Sequence, residues 1–312
     1  MRSIECWKQA LFVTFLLMLG ASQADARSAA SSAARDQAAA PAPAGAMTMN
    51  AAVRQLERQS ADRRLLVVGE IHGTTETPAL VAELVQAASK DRPVRVGLEW
   101  PAWMQDYVAA YLASRGSPDD RKAMLRMGYW KAVPDGRGSR AMVDLVEAVR
   151  VLRKSGRDVD VFLMEPDVPT RPADLQSDQL AWKENGMAKA LETALATAPK
   201  NALVVAYMGR VHSRYAVLAG HPQPSVLQQV MDDRPLYVEV QADAGSAWNC
   251  QPGQGCGPHM FNAPPGAPFA NVRIEPLDDA PKGLAAEIFD FAVFTPSVPE
   301  PRVDGSSNAR TQ

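Results

Sequence analysis

Residues 65–73 read LLVVGEIHG, in which four apolar residues and a glycine precede two chemically active side chains, Glu70 and His72. A short run that is apolar throughout is typical of a strand buried on both faces, as in a parallel sheet. Three similar runs follow along the chain: VRVGLE at 94–99, VDVFLM at 159–164 and LVVAYMG at 203–209. The first run is therefore one member of a repeating pattern of buried strands.

Helix signals fill the gaps between these runs. Thr77-Pro78 predicts the start of a helix, because threonine is a good N-cap and proline is favoured at the first helical position. Further helices are predicted after Pro101 and after Ser139, the first of them with one stripe of Trp103, Tyr107, Tyr111 and Leu112. The alternation predicts an α/β fold, a three-layer sandwich with a mainly parallel central sheet and helices on both faces. By contrast, LYVEVQ at 236–241 alternates, which predicts a half-exposed edge strand.

The two ends of the chain differ in composition from its middle. Basic residues, an apolar core at 10–21 and the small-residue pattern Ala24-Asp25-Ala26 predict a secretory signal peptide. That core spans only about 18 Å as a helix, and no later stretch reaches eighteen apolar residues, so no membrane span is expected after cleavage. The predicted organisation is a signal peptide at 1–26, an Ala/Ser/Pro-rich linker at 27–47, an α/β domain at 48–295 and a disordered tail at 296–312. The protein is expected to be exported, either periplasmic or secreted.

Charge and cysteine usage narrow the classes of partner. The 33 Lys and Arg residues nearly balance the 35 Asp and Glu residues, so nothing in the net charge of −2 favours a nucleic-acid partner. Signal cleavage leaves Cys250 and Cys256, which flank a Pro/Gly-rich turn and predict a small-loop disulfide in an oxidising compartment. A metal site that includes His259 is the alternative, but the sequence offers no second cysteine pair for it.

Polar side chains follow each of the four buried runs. Glu70 and His72 follow the first, Glu99 the second, Glu165 the third and His212 the fourth. In an open parallel sheet, ligands bind beyond the carboxyl ends of the strands. Two of the four histidines of the chain therefore reach the edge where a pocket is expected.

Such a cluster can act chemically in two ways. Glu70, His72, Glu99 and His212 could hold a divalent metal such as Mn²⁺, Co²⁺ or Zn²⁺, which would activate a bound water. Alternatively, a carboxylate could orient one imidazole that takes a proton from water directly. The remaining interpretation is a buried salt-bridge network with no chemistry.

The segment Asp135-Gly136-Arg137 precedes the helix predicted after Ser139. Arg137 could offer its guanidinium to a substrate carboxylate or oxyanion, and Asp135 and Glu165 are assigned to the same substrate-binding group. The alternative is that Asp-Gly only makes the turn and Ser139 only caps the helix. The motifs of serine hydrolases, P-loop NTPases and dinucleotide-binding proteins are absent from the sequence.

Three segments, VVGEIHGTTETP, GLEWPAWMQDYVAAYL and YMGRVHS, together resemble the erythromycin esterase/ChaN/TIKI superfamily, most of all its bacterial ChaN-like branch. The resemblance implies an α/β core in which Glu70, His72, Glu99 and His212 line the pocket. Branches of the superfamily include antibiotic lactone esterases, metal-dependent peptidases and haem-binding uptake lipoproteins. This chain has Arg210 where the late motif commonly has asparagine, and it lacks the cysteine that would carry a lipid anchor.

The sequence thus predicts an exported hydrolase that activates water on an ester or amide of a small-molecule or peptide substrate, with or without a metal. The alternative is a periplasmic uptake protein that binds haem or a metal. Tyr107, Tyr129 and Tyr215 are the candidate haem ligands besides the histidines.

Overall fold

The computed structural model describes residues 46–126, 128–132, 135–167, 178–215, 222–251, 253–261 and 272–300. The predicted signal peptide and nearly all of the predicted linker lie outside these residues. Within the described part of the chain, no helix has the length and apolar character needed to cross a membrane.

Strands and helices alternate through the first two thirds of the domain, and strands dominate the last third. The strands are β1 Leu65–Glu70, β2 Val94–Pro101, β3 Val159–Glu165, β4 Leu203–Gly209, β5 Leu236–Gln251, β6 Gly255–Phe261, β7 Val272–Pro276 and β8 Ala285–Phe294. The helices are α1 Met49–Gln59, α2 Glu76–Ala88, α3 Gln105–Ala113, α4 Pro118–Leu125, α5 Tyr129–Ala132, α6 Arg140–Lys154, α7 Gln179–Thr197, α8 Arg210–Ser213 and α9 Val226–Gln229. Short 3-10 turns occur at Ala102–Met104 and Met231–Asp233.

The strands form one eight-stranded sheet in the order β3-β2-β4-β1-β5-β8-β7, with β6 paired to β5. The strands from β3 to β8 in this order run parallel to their neighbours, while β7 and β6 are antiparallel to theirs. The predicted α/β class and mainly parallel sheet are confirmed. All four runs predicted as buried strands are found as β1 to β4.

Each face of the sheet has its own apolar core. In β1, Leu66 and Val68 join the cluster beneath α1, α2, α3 and α6, whereas Leu65 and Val67 join the cluster beneath α7 and α9. Successive side chains of a strand point to opposite faces. An apolar run without polar interruption is therefore what a strand between two helical layers requires, which confirms the three-layer arrangement.

The prediction of an edge strand at 236–241 is wrong. This segment opens β5, which lies inside the sheet with β1 on one side and β8 on the other. Its alternating pattern arises because Glu239 and Gln241 are half-buried, and Glu239 pairs with Gly69, where the neighbouring strand β1 is about to end. From Gly245 onward the same strand pairs with β6 in a hairpin.

The helix boundaries and the tail also differ from the sequence predictions. The helix expected at Thr77-Pro78 begins at Glu76, and two members of the predicted stripe, Trp103 and Tyr107, are exposed. Residues 296–300, which the sequence assigns to the tail, form bridges to Thr74 through Pro296 and to Ser139 through Pro299.

Candidate active site

The candidate site lies where β1, β4 and β2 end side by side. Glu70 is the last residue of β1 and pairs with Gly209, the last residue of β4. Gly209 makes room for its neighbours, because a Cβ at this position would lie 2.7 Å from His72 Nε2 and 3.4 Å from Glu99 Oε2. The backbone N–H of Gly209 also donates to Glu99 Oε2 at 2.9 Å. A glycine at the end of the middle strand thus lets side chains from both flanking strands meet.

His72 lies between two buried carboxylates. Its Nδ1 is 2.8 Å from Glu70 Oε1, and its Nε2 is 3.3 Å from Glu99 Oε2. The second oxygen of Glu70 accepts a hydrogen bond from the hydroxyl of Tyr207, on β4. Glu70 is therefore held from both sides, and it fixes the orientation of the His72 ring.

His212 mirrors this arrangement on the other side of Glu99. Its Nε2 is 3.4 Å from Glu99 Oε1, and its Nδ1 is 3.3 Å from Glu184 Oε1. The five side chains form an alternating row of carboxylate and imidazole: Glu70, His72, Glu99, His212 and Glu184. In both imidazoles Nδ1 faces an outer carboxylate and Nε2 faces the shared central one.

Two basic side chains bind the central carboxylate of the row, Glu99. Lys183 Nζ is 2.8 Å and Arg137 Nη1 is 3.3 Å from Glu99 Oε1. Both cations also reach Glu165, Arg137 at 2.7 Å and Lys183 at 3.3 Å. Arg137 Nε and Nη2 bind Asp135. Most hydrogen-bond donors of Arg137 are therefore used on carboxylates of the site. This favours a role in holding these carboxylates together over the predicted role, in which the guanidinium would bind the substrate.

The balance of charge around the two imidazoles favours their protonated forms. Five carboxylates (Glu70, Glu99, Asp135, Glu165 and Glu184) meet three permanent cations (Arg137, Lys183 and Arg214). The excess of two negative charges is neutralised when both histidines carry a proton. A buried cluster with no net charge is far less costly than one with unpaired carboxylates.

The pKa shifts follow this balance. Burial disfavours the charged form of His72, but the carboxylates of Glu99 and Glu70 outweigh burial and raise its pKa to about 10. Burial likewise opposes the charge of His212, and Glu99 with Glu184 raises its pKa. Burial alone would raise the pKa of Glu99, yet both imidazolium groups and Lys183 hold it well below its ordinary value. Burial raises the pKa of Glu70.

The cluster does not fit a divalent cation. Among the residues that the structure describes, no group of three or more His, Cys, Asp or Glu side chains is arranged to hold a metal ion. The central carboxylate, which a metal would need, is bound by Lys183 and Arg137 instead. The metal set predicted from Glu70, His72, Glu99 and His212 is therefore not supported by this arrangement.

Four members of the row, Glu70, His72, Glu99 and His212, line an open cavity of about 1050 Å³. Its lining includes Ile71, Leu180 and Val211, which give it an apolar part, and Arg210. The cavity is large enough for a drug-sized ligand, for which pockets of about 300–1000 Å³ are usual. None of the three tyrosines named as haem ligands is among the described residues that line it.

One wall of the cavity is the hairpin of β5 and β6. Asn249 and Cys250 line the cavity, and Cys250 forms a disulfide with Cys256 across the hairpin. The predicted disulfide is confirmed. The backbone N–H of Trp248 donates to the carbonyl of Gly73 at 2.9 Å, which ties this wall to the loop that carries His72.

Comparison with known proteins gives a likeness in structure alone. No family model matches the chain, and no curated protein does either. A Bacillus cereus protein superposes with a TM-score of 0.59 at 11% identity, over 81% of this chain and 94% of that one. A succinoglycan biosynthesis protein gives 0.56 at 8% identity, over 80% and 92%. An erythromycin esterase mutant, EreC in its open conformation, gives 0.52 at 10% identity, over 80% and 95%.

The chain has the erythromycin-esterase fold. The fold expected from the three resembling segments is thereby confirmed. Membership of the ChaN-like branch stays a prediction, because none of these three structures bears on it. The erythromycin-esterase fold alone does not assign a reaction, since one fold hosts many activities.

Within this erythromycin-esterase fold, the structure brings together the four residues predicted from the strand ends, and Arg137, Asp135 and Glu165 adjoin them. Sequence reasoning missed Lys183, Glu184 and Tyr207. Glu184 carried a detectable signal, because it falls on the same helical stripe as the buried residues Met187 and Leu191 of α7. Lys183 and Tyr207 carried none, since their importance depends on contacts between distant segments.

Proposed function

We propose that this protein is a hydrolase that uses an imidazole to activate water against an ester or amide bound in the cavity. The observation that carries the proposal is the row of side chains described above, in which both imidazole Nε2 atoms approach Glu99 in the lining of the cavity. Perturbed titratable groups that share a pocket are typical of acid–base catalysis.

His72 is the proposed general base. Its side chain is 21% exposed, against 8% for His212, so a water in the cavity reaches it more readily. Glu70 occupies Nδ1, so Nε2, which lies 3.3 Å from Glu99 Oε2, is the ring nitrogen left to take a proton from water. Since the resting His72 is protonated at neutral pH, the active form is the one that has lost this proton, and turnover should rise with pH toward the pKa of about 10.

The proposed hydrolysis needs only water and the two imidazoles as proton acceptor and proton donor. Nε2 of neutral His72 takes a proton from water while the water oxygen bonds to the carbonyl carbon. The tetrahedral intermediate then expels an alcohol or amine, which takes a proton from His212. The carboxylic acid product passes its proton to His212, so that both imidazoles are protonated as in the resting state. Loss of the His72 proton to solvent starts the next turnover. Lys183 and Arg137 hold Glu99 between the two imidazoles throughout.

Exported localisation is part of the proposal. The Cys250–Cys256 disulfide supports an oxidising compartment. The predicted signal peptide supports it independently.

The test is a substrate screen with matched histidine variants. Wild-type protein is assayed on p-nitrophenyl esters and aminoacyl p-nitroanilides between pH 6 and 10, beside His72→Ala, His212→Ala and His259→Ala. His259 lies on the outer hairpin strand β6 and outside the cavity lining, so its variant is the control. We expect the first two variants to lose at least 100-fold in kcat/KM, a typical contribution of acid–base groups. Full turnover by His72→Ala would refute the assignment.

A further inference from the structure

Glu184 is a charged side chain with no exposed surface at all. It lies in α7, one residue after Lys183, yet it does not line the cavity. Burying a carboxylate costs several kcal/mol unless it is paired and hydrogen-bonded. The buried charge of Glu184 therefore calls for an explanation in the groups that it contacts.

Three groups from two neighbouring segments converge on Glu184. His212 Nδ1 lies 3.3 Å and Arg214 Nη1 lies 2.7 Å from Oε1. Its Oε2 accepts the backbone N–H of Val226, the first residue of α9, at 2.8 Å. The carboxylate thus meets one side of the imidazole and is itself fixed by an arginine and a helix end.

We propose that Glu184 is a positioning residue that holds the His212 ring with Nδ1 away from the cavity and Nε2 toward Glu99, so that His212 can donate a proton to the leaving group. The proposal rests on the proposed function for the role of His212, but the positioning itself is a separate claim. Each imidazole then has its own orienting carboxylate: Glu70 orients His72, and Glu184 orients His212.

The charged groups around His212 come from three elements. Glu99 of β2 faces Nε2, Glu184 of α7 faces Nδ1, and Lys183 of α7 adds a positive charge that opposes protonation. Arg214 follows α8 and shares the Oε1 oxygen of Glu184 with the imidazole. Removing the charge of Glu184 therefore leaves His212 with one carboxylate and two nearby cations.

The test uses imidazole NMR, which needs no substrate. The chain has four histidines, so protein labelled with ¹⁵N and ¹³C in histidine gives four ring systems, and His212→Gln identifies that of His212. In the wild type we expect Nδ1 of His212 to carry a proton at pH 7. In Glu184→Gln, which keeps the size and an acceptor for Val226 N–H, we expect the His212 titration midpoint to fall by at least one pH unit. Glu184→Asp should restore part of the shift.

The outcomes separate positioning from function. A Glu184→Gln protein that is folded but has an unchanged His212 titration overturns the proposal. If that variant does not fold, the wild type still decides, because an unprotonated Nδ1 of His212 at pH 7 also overturns it. On any ester that the wild type hydrolyses, Glu184→Gln should lower kcat at least 10-fold and change KM less than 2-fold. If the wild type hydrolyses nothing in the screen, the proposed function fails while the NMR result stands.

Discussion

Raising the pH from 7 to 10 should destabilise the folded protein through His72. Its pKa is about 10 in the folded protein, against an ordinary value of 6.5 that applies when the chain is unfolded. A group whose pKa is raised by folding stabilises the folded state fully below its unfolded pKa. This stabilisation is lost as the pH rises through the folded pKa.

The magnitude follows from the two pKa values. One pH unit between them corresponds to about 1.4 kcal/mol, so protonated His72 contributes about 5 kcal/mol below pH 6.5, and about 3.5 kcal/mol of this is lost between pH 7 and pH 10. These are upper values, because the imidazole is 21% exposed and water screens part of its interaction with Glu99 and Glu70. Whole-protein unfolding free energies of about 5–15 kcal/mol make such a loss large.

Urea denaturation at pH 6, 7, 8, 9 and 10, followed by circular dichroism, measures the effect. Lysines and tyrosines also titrate near pH 10, so the quantity to compare is the difference between wild type and His72→Gln at each pH. We expect this difference to shrink by 2–4 kcal/mol, roughly the figure derived from the pKa values, between pH 7 and 10. A His259→Gln control should follow the wild type. If wild type and His72→Gln give parallel curves within about 1 kcal/mol, the reasoning from the carboxylate pair is wrong.

Three more perturbations test the surroundings of the site. Lys183→Met removes a cation from the buried carboxylate of Glu99 and should lower the free energy of unfolding, measured by urea denaturation, by about 3 kcal/mol. Lys183→Arg should keep most of the stability. Equal stability of the wild type and both variants would contradict the ion pair. Gly209→Ala places a methyl group 2.7 Å from His72 Nε2 and should lower the rate of hydrolysis at least 10-fold. Gly257→Ala serves as the control, because its Cβ would meet no atom within 4 Å. Reduction of the disulfide should lower the free energy of unfolding by about 2 kcal/mol because the closed loop is short, and an unchanged thermal midpoint after dithiothreitol would show that the hairpin does not depend on it.

The sequence predicts the first half of this fold well because each of the strands β1 to β4 is recognisable from its own short apolar sequence. These strands are mostly apolar over six to eight residues, with Arg95 in β2 and Asp160 in β3 as the polar exceptions before the strand ends. The last third is harder, since the same principle does not apply to β5. Its long course through the sheet and into a hairpin depends on its partners, β1, β8 and β6, and these lie far away in sequence.

The site divides in the same way. The positions of Glu70, His72, Glu99 and His212 follow from the rule that parallel strands end at one edge, so the sequence alone indicates that these four side chains lie together. The occupation of the central carboxylate depends on Lys183, which reaches Glu99 from a helix 84 residues further along the chain. No local sequence pattern predicts such a contact, because an ion pair between residues this far apart in sequence depends on how the helix packs against the sheet.

The residues at the end of the described domain have a consequence for the order in which the site is completed during synthesis. The backbone N–H of Ser297 donates to the carbonyl of Gly73, directly after the loop that carries His72, and its hydroxyl accepts from Ala141 N–H at the start of α6. A growing chain therefore has every chemically active side chain of the cavity long before it has the segment that fastens them. The nascent protein lacks these two hydrogen bonds until nearly the whole domain has emerged, so the loop that carries His72 is fastened last.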